Sequence, residues 1–111
     1  MSDKRIGKVQ HATFGAGGYQ ECQIGLGVTL GSEKDCWGVR DFRGPWSIKR
    51  SEGCKWTEED RIREAGETVM WLSDILKAAK KQYVHELVGV PVEVEFEGMR
   101  MKAWRVLTEA I

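Results

Sequence analysis

The sequence has little proline, few cysteines and no long apolar run. No stretch approaches the ~20 apolar residues that a membrane-spanning helix needs, and the first five residues carry charges with no apolar segment behind them. The three cysteines, Cys22, Cys36 and Cys54, lack the CxxC spacing of a zinc knuckle and are too few for a disulfide framework. We therefore expect a cytoplasmic protein with reduced thiols, no membrane association and no cofactor.

The chain also lacks net charge, because 17 Lys and Arg residues balance 17 Asp and Glu residues. The balance argues against a general basic attraction to nucleic acid, although a local basic patch stays open. With 111 residues, of which 41% are hydrophobic, the chain has enough apolar material for one core and too little length for two. We expect residues 1–111 to form a single domain.

The spacing of the apolar residues changes twice along the chain. Residues 20–30 alternate with a period of two, which predicts a strand with one buried face. Short turns on both sides predict neighbouring strands at residues 5–14 and 36–42, and such short connections require antiparallel pairing. The apolar positions of the central strand are Cys22, Ile24, Leu26, Val28 and Leu30.

From Thr57 onward the period becomes helical. Thr57 and Asp60 have the spacing of a capping box, and apolar residues follow in alternating steps of three and four. This pattern predicts one long amphipathic helix that packs against the strands. Its predicted buried stripe is Ile62, Ala65, Val69, Leu72, Leu76, Ala79 and Tyr83.

The last 22 residues return to strand patterns. Residues 90–96 alternate, a hairpin is expected at Glu97 and Gly98, and residues 99–107 form the final strand with a bulge near Ala103 and Trp104. Pro91 predicts that the fourth strand is either an edge or unpaired at its start. The predicted fold is α+β: a five-stranded antiparallel sheet in the order β-β-β-α-β-β, with the helix packed across one face.

Tryptophan and basic residues concentrate in one region. Five tryptophans are many for this length, and aromatic and Arg side chains are typical of binding surfaces and of single-strand stacking. The alternative is that Trp37 fills the core and Trp56 packs at the start of the helix. The predicted binding residues are Trp37, Arg40, Arg43, Trp46, Lys49, Arg50, Lys55 and Trp56, with Trp46 and Arg43 as anchors.

Glycines mark two further candidate sites. Residues 14–19 form a glycine-rich stretch that fits either an anion-binding loop or a hairpin turn, and the strand pattern after it favours the turn. Gly25 and Gly27 occupy the outward face of the best strand and, with Gly38, leave a flat track there. Either a large side chain such as Trp46 or a binding partner is expected to approach this track.

The sequence offers little for catalysis. His11 and His85 belong to no catalytic or ligand motif, and a pairing of Cys54 with His85 has no motif behind it. Three glutamates at positions 93, 95 and 97 would suit a divalent cation or acid–base work, but alternating acids are also typical of a solvated strand face, here opposite Arg100 and Lys102. We expect a protein that is not an enzyme.

The chain as a whole resembles a family of small proteins encoded by phages and prophages. The segments that carry the resemblance lie at residues 17–20, 24–26, 37–39, 41–44, 55–60, 88–94 and 104–109. The resemblance implies a mobile-element setting, in which small single-domain proteins antagonise host defence.

Three functional hypotheses follow from the resemblance and the residues together. The first is a stoichiometric binding protein that inhibits a host defence protein or nucleoprotein complex, in the manner of an anti-CRISPR inhibitor. The second is an oligomeric sponge for a nucleotide signal, with the glycine stretch at the phosphate and tryptophan at the base. The third is a single-stranded DNA accessory protein. A homo-oligomer is compatible with all three.

Overall fold

A computed structural model describes residues 2–48 and 52–111 of the chain. These residues form an antiparallel sheet and one long helix, in the predicted order β-β-β-α-β-β. The α+β fold class is therefore confirmed. The elements are β1 (Ser2–Gly17), β2 (Gln23–Ser32), β3 (Trp37–Arg43), α1 (Glu58–Ala79), β4 (Pro91–Glu97) and β5 (Arg100–Val106), with short 3-10 helices at Tyr19–Glu21, Val84–Leu87 and Thr108–Ala110.

The sheet has the strand order β3-β2-β1-β4-β5, with the long strand β1 at its centre. The first half of β1 pairs with β4 and the second half pairs with β2, and Lys8 stands opposite both strands at the changeover. A register shift between Val9 and His11 follows directly. Such a bulge increases the local bend and twist of a strand, so β1 can turn from one half of the sheet into the other.

The sheet is curled so strongly that its two edge strands touch through their side chains. The Trp104 indole Nε1–H on β5 donates a hydrogen bond of 2.9 Å to the Asp41 carboxylate on β3. The rings of Trp37 on β3 and Phe96 on β4 meet edge to face, with their centres 5.7 Å apart. The sheet thus forms a partly open barrel, and the core lies on its inner face.

Alternation along the strands determines which residues enter this core. Leu26, Val28 and Leu30 are buried on β2, as the period of two predicts, and Val92 and Val94 meet them from β4. Pro91 is the first residue of β4, which is not an edge strand. The remaining buried apolar residues are Val9, Ala12, Ile75, Ala79, Leu87, Val90, Phe96 and Val106.

The helix begins as predicted, with a capping box between Thr57 and Asp60. The Thr57 backbone N–H donates to the Asp60 carboxylate at 2.9 Å, and the Asp60 N–H donates to the Thr57 hydroxyl at 3.1 Å. The bond from the Thr57 backbone lowers the pKa of Asp60, and the Thr57 hydroxyl contributes in the same direction. The helix ends at Ala79, and Lys80 follows in the left-handed region.

The face by which the helix packs on the sheet agrees with the predicted stripe in the second half of the helix and differs from it in the first. As predicted, Ala79 is buried, and Leu72 and Leu76 pack against the core. Ile62 and Val69 are exposed instead, and the buried residues Thr68 and Ile75 were not part of the stripe. The predicted stripe omitted Thr68 because this residue is polar. Its hydroxyl donates to the Glu64 carbonyl at 2.7 Å, so the side chain can be buried. The predicted stripe also extended to Tyr83, which lies beyond the end of the helix.

The β4–β5 hairpin also differs in detail from the prediction. Glu97 pairs with Arg100, so the two-residue loop is Gly98 and Met99, and Gly98 adopts a φ of 65°. The predicted bulge is present, but the residue left unpaired by the register shift is Lys102, just before Ala103. The loop and the bulge are each displaced by one position.

Candidate functional site

An open groove of about 740 Å³ lies on the outer face of β1, β2 and β3. Two cross-strand rows form its floor, because directly opposed residues share one face of a sheet. In the first row His11 on β1, Thr29 on β2 and Arg40 on β3 stand side by side. The second row consists of Thr13, Gly27 and Phe42, and one end of the groove is bordered by Gly17, Gly18 and Glu21.

Phe42 covers the glycine track on this face. A Cβ atom added to Gly27 would lie 3.1 Å from the Phe42 ring, and one added to Gly17 would lie 2.6 Å from it. Unless the ring moves, it leaves no room for a side chain at Gly17 on β1 and little at Gly27 on β2. Gly25 is approached instead by the backbone of Arg43 and Gly44. An intramolecular contact thus explains these glycines, with Phe42 in the place expected for Trp46.

A strained turn borders the groove where β1 leads into β2. Gly18 has a φ of 70° and a ψ of −156°, which is essentially a glycine-only conformation. Gln20 and Glu21 follow at φ values of 52° and 57°, in the left-handed region that costs a residue with a Cβ roughly 1–2 kcal/mol. The glycine-rich stretch therefore does end in a turn, but β1 continues to Gly17 before the turn begins.

Gln23 holds this turn in place. Its side-chain oxygen accepts a hydrogen bond of 3.3 Å from the Tyr19 backbone N–H, and its amide nitrogen donates to the Gly44 carbonyl at 2.9 Å. The turn is thereby connected to the chain that follows β3. This connection fixes one end of the groove relative to Arg40 and Phe42.

The groove carries few charges. Arg40 is exposed and makes no hydrogen bond or ion pair with the residues that the structure describes. Glu21 borders the end at the turn. The Asp41 carboxylate is directed to the inner face, where it accepts the bond from Trp104. The outer face thus offers a cation, an aromatic ring, an imidazole and two hydroxyl groups.

The structure distributes the predicted binding residues over different surfaces. Trp37 packs on the core side against Phe96, and the Arg43 guanidinium lies 4.3 Å from the centre of the Trp71 ring on the helix. Of the β3 residues in the prediction, Arg40 is the one that lines the groove. Trp46 and Trp56 are half-buried, Trp46 with a bridge to Gln23, whereas Lys55 is exposed and Lys49 and Arg50 lie outside the described residues.

Apart from Arg40, the residues that line the groove were not among the predicted binding residues, and this includes the four side chains of its floor, His11, Thr13, Thr29 and Phe42. The alternation of β2 already placed Gly27 and Thr29 outward. Applying the same alternation to β3 would have placed Arg40 and Phe42 on that face and Trp37 and Arg43 on the other. The pairing of β1 with β2 then adds His11 and Thr13.

The glutamates and the histidine that were considered for metal binding or catalysis have structural roles instead. Glu93 and Glu95 form ion pairs with Arg105 at 3.2 Å and Lys102 at 3.5 Å, as expected for a charged strand face. His85 stacks on Tyr83, with ring centres 5.8 Å apart. Among residues 2–48 and 52–111, no group of three or more His, Cys, Asp or Glu side chains could hold a metal ion, and no helix could span a membrane.

Comparison with protein-family models, curated proteins and solved structures gave no significant match. The site is therefore interpreted from its own residues.

Proposed function

We propose that the chain is a non-enzymatic binding protein whose outer groove holds a segment of single-stranded nucleic acid. The supporting observation is the placement of Phe42 beside Arg40 on an open face that also carries Thr13 and Thr29. Aromatic rings stack on bases regardless of sequence, and an arginine beside them contacts phosphate. The two threonine hydroxyls add donors and acceptors for base edges or sugars.

The shape of the groove favours a strand over an isolated nucleotide. Small-molecule sites bury most of the ligand surface in a cavity. This groove is instead open along three strands, from the turn at Gly18 to His11. At His11 it meets a second groove that includes Lys8 and Lys34. A linear ligand could follow this path and reach further cations, which a single nucleotide could not do.

The order in which the strands are connected supports the same face of the sheet as the binding face. A curled five-stranded sheet in the order β3-β2-β1-β4-β5, with a helix between the third and fourth strands, has the connectivity of an OB-fold barrel. OB folds bind oligonucleotides on the outer face of strands 2 and 3. This is an analogy of fold, and it bears on the location of the site, whereas the proposed chemistry rests on the side chains.

The sparse charge of the groove predicts an unusual salt dependence. Each phosphate neutralised on a single strand contributes about −0.7 to the slope of log affinity against log salt concentration. We expect a slope of about −0.7 if Arg40 alone neutralises a phosphate and about −2 if the strand also reaches Lys8 and Lys34, still below that of a basic nucleic-acid-binding protein. Most of the affinity would then come from stacking on Phe42 and from hydrogen bonds.

The test is fluorescence anisotropy with a dye-labelled oligothymidine and the matching duplex. We expect the single strand to bind more tightly, Arg40→Gln to weaken it about tenfold, and Phe42→Leu to weaken it by about 1–3 kcal/mol while still covering Gly27. Arg100→Gln is the matched control, because Arg100 is also exposed on an edge strand but does not line the groove.

Circular dichroism melts of each variant would show that the fold is retained. The proposal fails if the wild-type protein does not bind the single strand at concentrations up to about 1 mM, which is weaker than ordinary non-specific binding to nucleic acid. It also fails if Arg100→Gln weakens binding as much as Arg40→Gln does.

The predicted antagonism of a host defence component rests on the resemblance to phage proteins, and it stays a prediction. A nucleoprotein target would offer single-stranded nucleic acid to the groove, so that prediction is compatible with the proposed site. If this protein still bound a defence complex from which the nucleic acid had been removed, the antagonism would not depend on the proposed groove.

A further inference from the structure

The outward face of α1 carries an apolar strip that nothing in the described chain covers. Ile62, Val69 and Met70 are 70%, 57% and 59% exposed. Gly66 lies between them, and a Cβ added there would meet no atom within 4 Å. Gly66 is nine residues from the buried Ile75, which is two and a half helical turns, so this strip is directly opposite the core.

Opposite charges stand at the two ends of the strip. Glu59 continues it toward the helix N-terminus and Lys77 toward the C-terminus, each in steps of three or four residues. Neither side chain forms an ion pair with the described residues. Their neighbours do, since Glu58 pairs with Arg61 at 2.6 Å and Asp60 pairs with Arg63 at 3.1 Å. Glu59 thus lies directly before Ile62 at one end of the apolar surface, and Lys77 lies beyond its other end, separated from Met70 by the half-buried Ser73.

We propose that this strip binds a second copy of the chain, with the two α1 helices packed antiparallel. Glu59 and Lys77 each lie nine residues from position 68. A two-fold axis that crosses the outward strip at the level of residue 68 would place Glu59 of one copy beside Lys77 of the other, and the pair would occur twice. A parallel arrangement would instead bring like charges together, which is unfavourable, and would align the helix dipoles unfavourably.

The apolar part of the strip suits the same arrangement. Glycine at the centre of a helix face allows the two helix axes to approach closely, to about 8 Å. Val69 and Met70 of one copy would then pack over Gly66 of the other. A single helix pair is at the small end of specific interfaces, so we expect a dissociation constant in the micromolar range.

The first test is analytical ultracentrifugation over a concentration series of about 5–500 µM, which brackets that range. The wild-type protein should shift from the 12.6 kDa chain to twice that mass. Val69→Glu should raise the dissociation constant at least tenfold. Val88→Glu is the matched control, because Val88 is 53% exposed but lies outside the helix, and it should leave the dimer unchanged.

The second test is a charge exchange that tests the relative orientation of the two α1 helices. Glu59→Lys and Lys77→Glu should each weaken the dimer, and the double variant should restore it, because the ion pairs form again with their signs reversed. Circular dichroism melts of the same variants separate a lost interface from a lost fold, since each single change also acts unfavourably on the helix dipole. A zero-length carbodiimide cross-link between Glu59 and Lys77 in a covalent dimer would support the antiparallel pairing.

Three results would overturn the proposal. The first is a protein that stays monomeric at the highest concentration. The second is a Val69→Glu variant that dimerises like the wild type, which would place the interface elsewhere. The third is a double charge variant that folds but fails to restore the dimer. Each of these results is distinguishable from failure of the proposed nucleic-acid binding, because the groove is on another face and is tested by oligonucleotide binding.

Discussion

The hydrogen bond between Trp104 and Asp41 provides a direct test of how the curled sheet stays closed. The two residues are on opposite edge strands and are 63 positions apart in the chain. Replacing Trp104 by Phe removes the indole donor and retains an aromatic ring, and replacing Asp41 by Ala removes the acceptor. The two single variants and the double variant form a double-mutant cycle.

The expected magnitudes follow from the environment of the pair. A hydrogen bond to a charged acceptor contributes about 1.5–3 kcal/mol, and the lower end applies here because both side chains are only half-buried. Trp104 also meets the Trp71 ring edge to face at 6.1 Å, a contact that contributes about 0.5–1.5 kcal/mol. We therefore expect Trp104→Phe to lower the free energy of unfolding by about 2–3 kcal/mol and Asp41→Ala by about 1.5–2 kcal/mol, with a coupling of about 1.5 kcal/mol.

The assay is urea unfolding followed by far-ultraviolet circular dichroism, which does not depend on the tryptophan being replaced. A parallel cycle on Lys102 and Glu95 is the control, since this partly exposed ion pair at 3.5 Å should couple by no more than about 0.5 kcal/mol. If the effects at Trp104 and Asp41 add to within about 0.5 kcal/mol, this bond does not hold the edges together. The closure would then have to come from the apolar contacts alone.

Three further predictions concern the core, a turn and an ion pair. Leu26→Ala should lower the free energy of unfolding by about 2–5 kcal/mol in the same urea assay, because Leu26 is fully buried and its loss leaves a cavity. Cys36→Gly should raise it by about 0.5–1 kcal/mol, because Cys36 has a φ of 56°, and an unchanged or lower value would contradict the assigned conformation. The side-chain hydrogen bonds from Arg105, at 2.8 Å, lower the pKa of Glu109 from 4.5 to about 2, so this pair should stabilise the fold above pH 4.5 and lose its effect as the pH falls toward 2. Carboxyl NMR titration should give that low midpoint, and Arg105→Gln should move it back up.

Local patterns predicted the elements of this fold but only part of the faces that become buried. The alternation of residues 20–30 placed Leu26, Val28 and Leu30 correctly in the core, and the capping box placed the start of the helix. Along the helix, however, apolar residues occur on two sides. Periodicity alone could not show that Ile62 and Val69 face outward, because that choice depends on where the sheet lies.

The closure of the sheet could not be predicted from the sequence. The pairing of β1 with β4, and the contact of Asp41 with Trp104, join residues that no local pattern relates. The bend in β1 at Val9 makes both possible, and a single displaced residue leaves only a weak trace in an apolar pattern. Long-range pairing is decided by which surfaces fit together, which requires the three-dimensional structure.

The prediction of the binding residues did not separate the two faces of β3, and the reason is simpler. It treated residues 37–56 as one aromatic and basic segment, although part of that segment is a strand in which neighbours point in opposite directions. Arg40 and Arg43 therefore have different partners, one in the groove and the other on Trp71. Composition identified the region, and the period of two would have been needed to divide it.

This division of β3 also determines how binding experiments on the strand must be interpreted. Asp41 and Arg43 hold β3 to β5 and to the helix from the inner face, while Arg40 and Phe42 border the groove from the outer face. A variant at Asp41 that loosens the strand would shift Arg40 and Phe42 relative to His11 and would weaken binding without any contact to the ligand. Binding loss at Asp41 should therefore be accompanied by a loss of unfolding free energy, whereas loss at Arg40 should not, because Arg40 has no partner within the described chain.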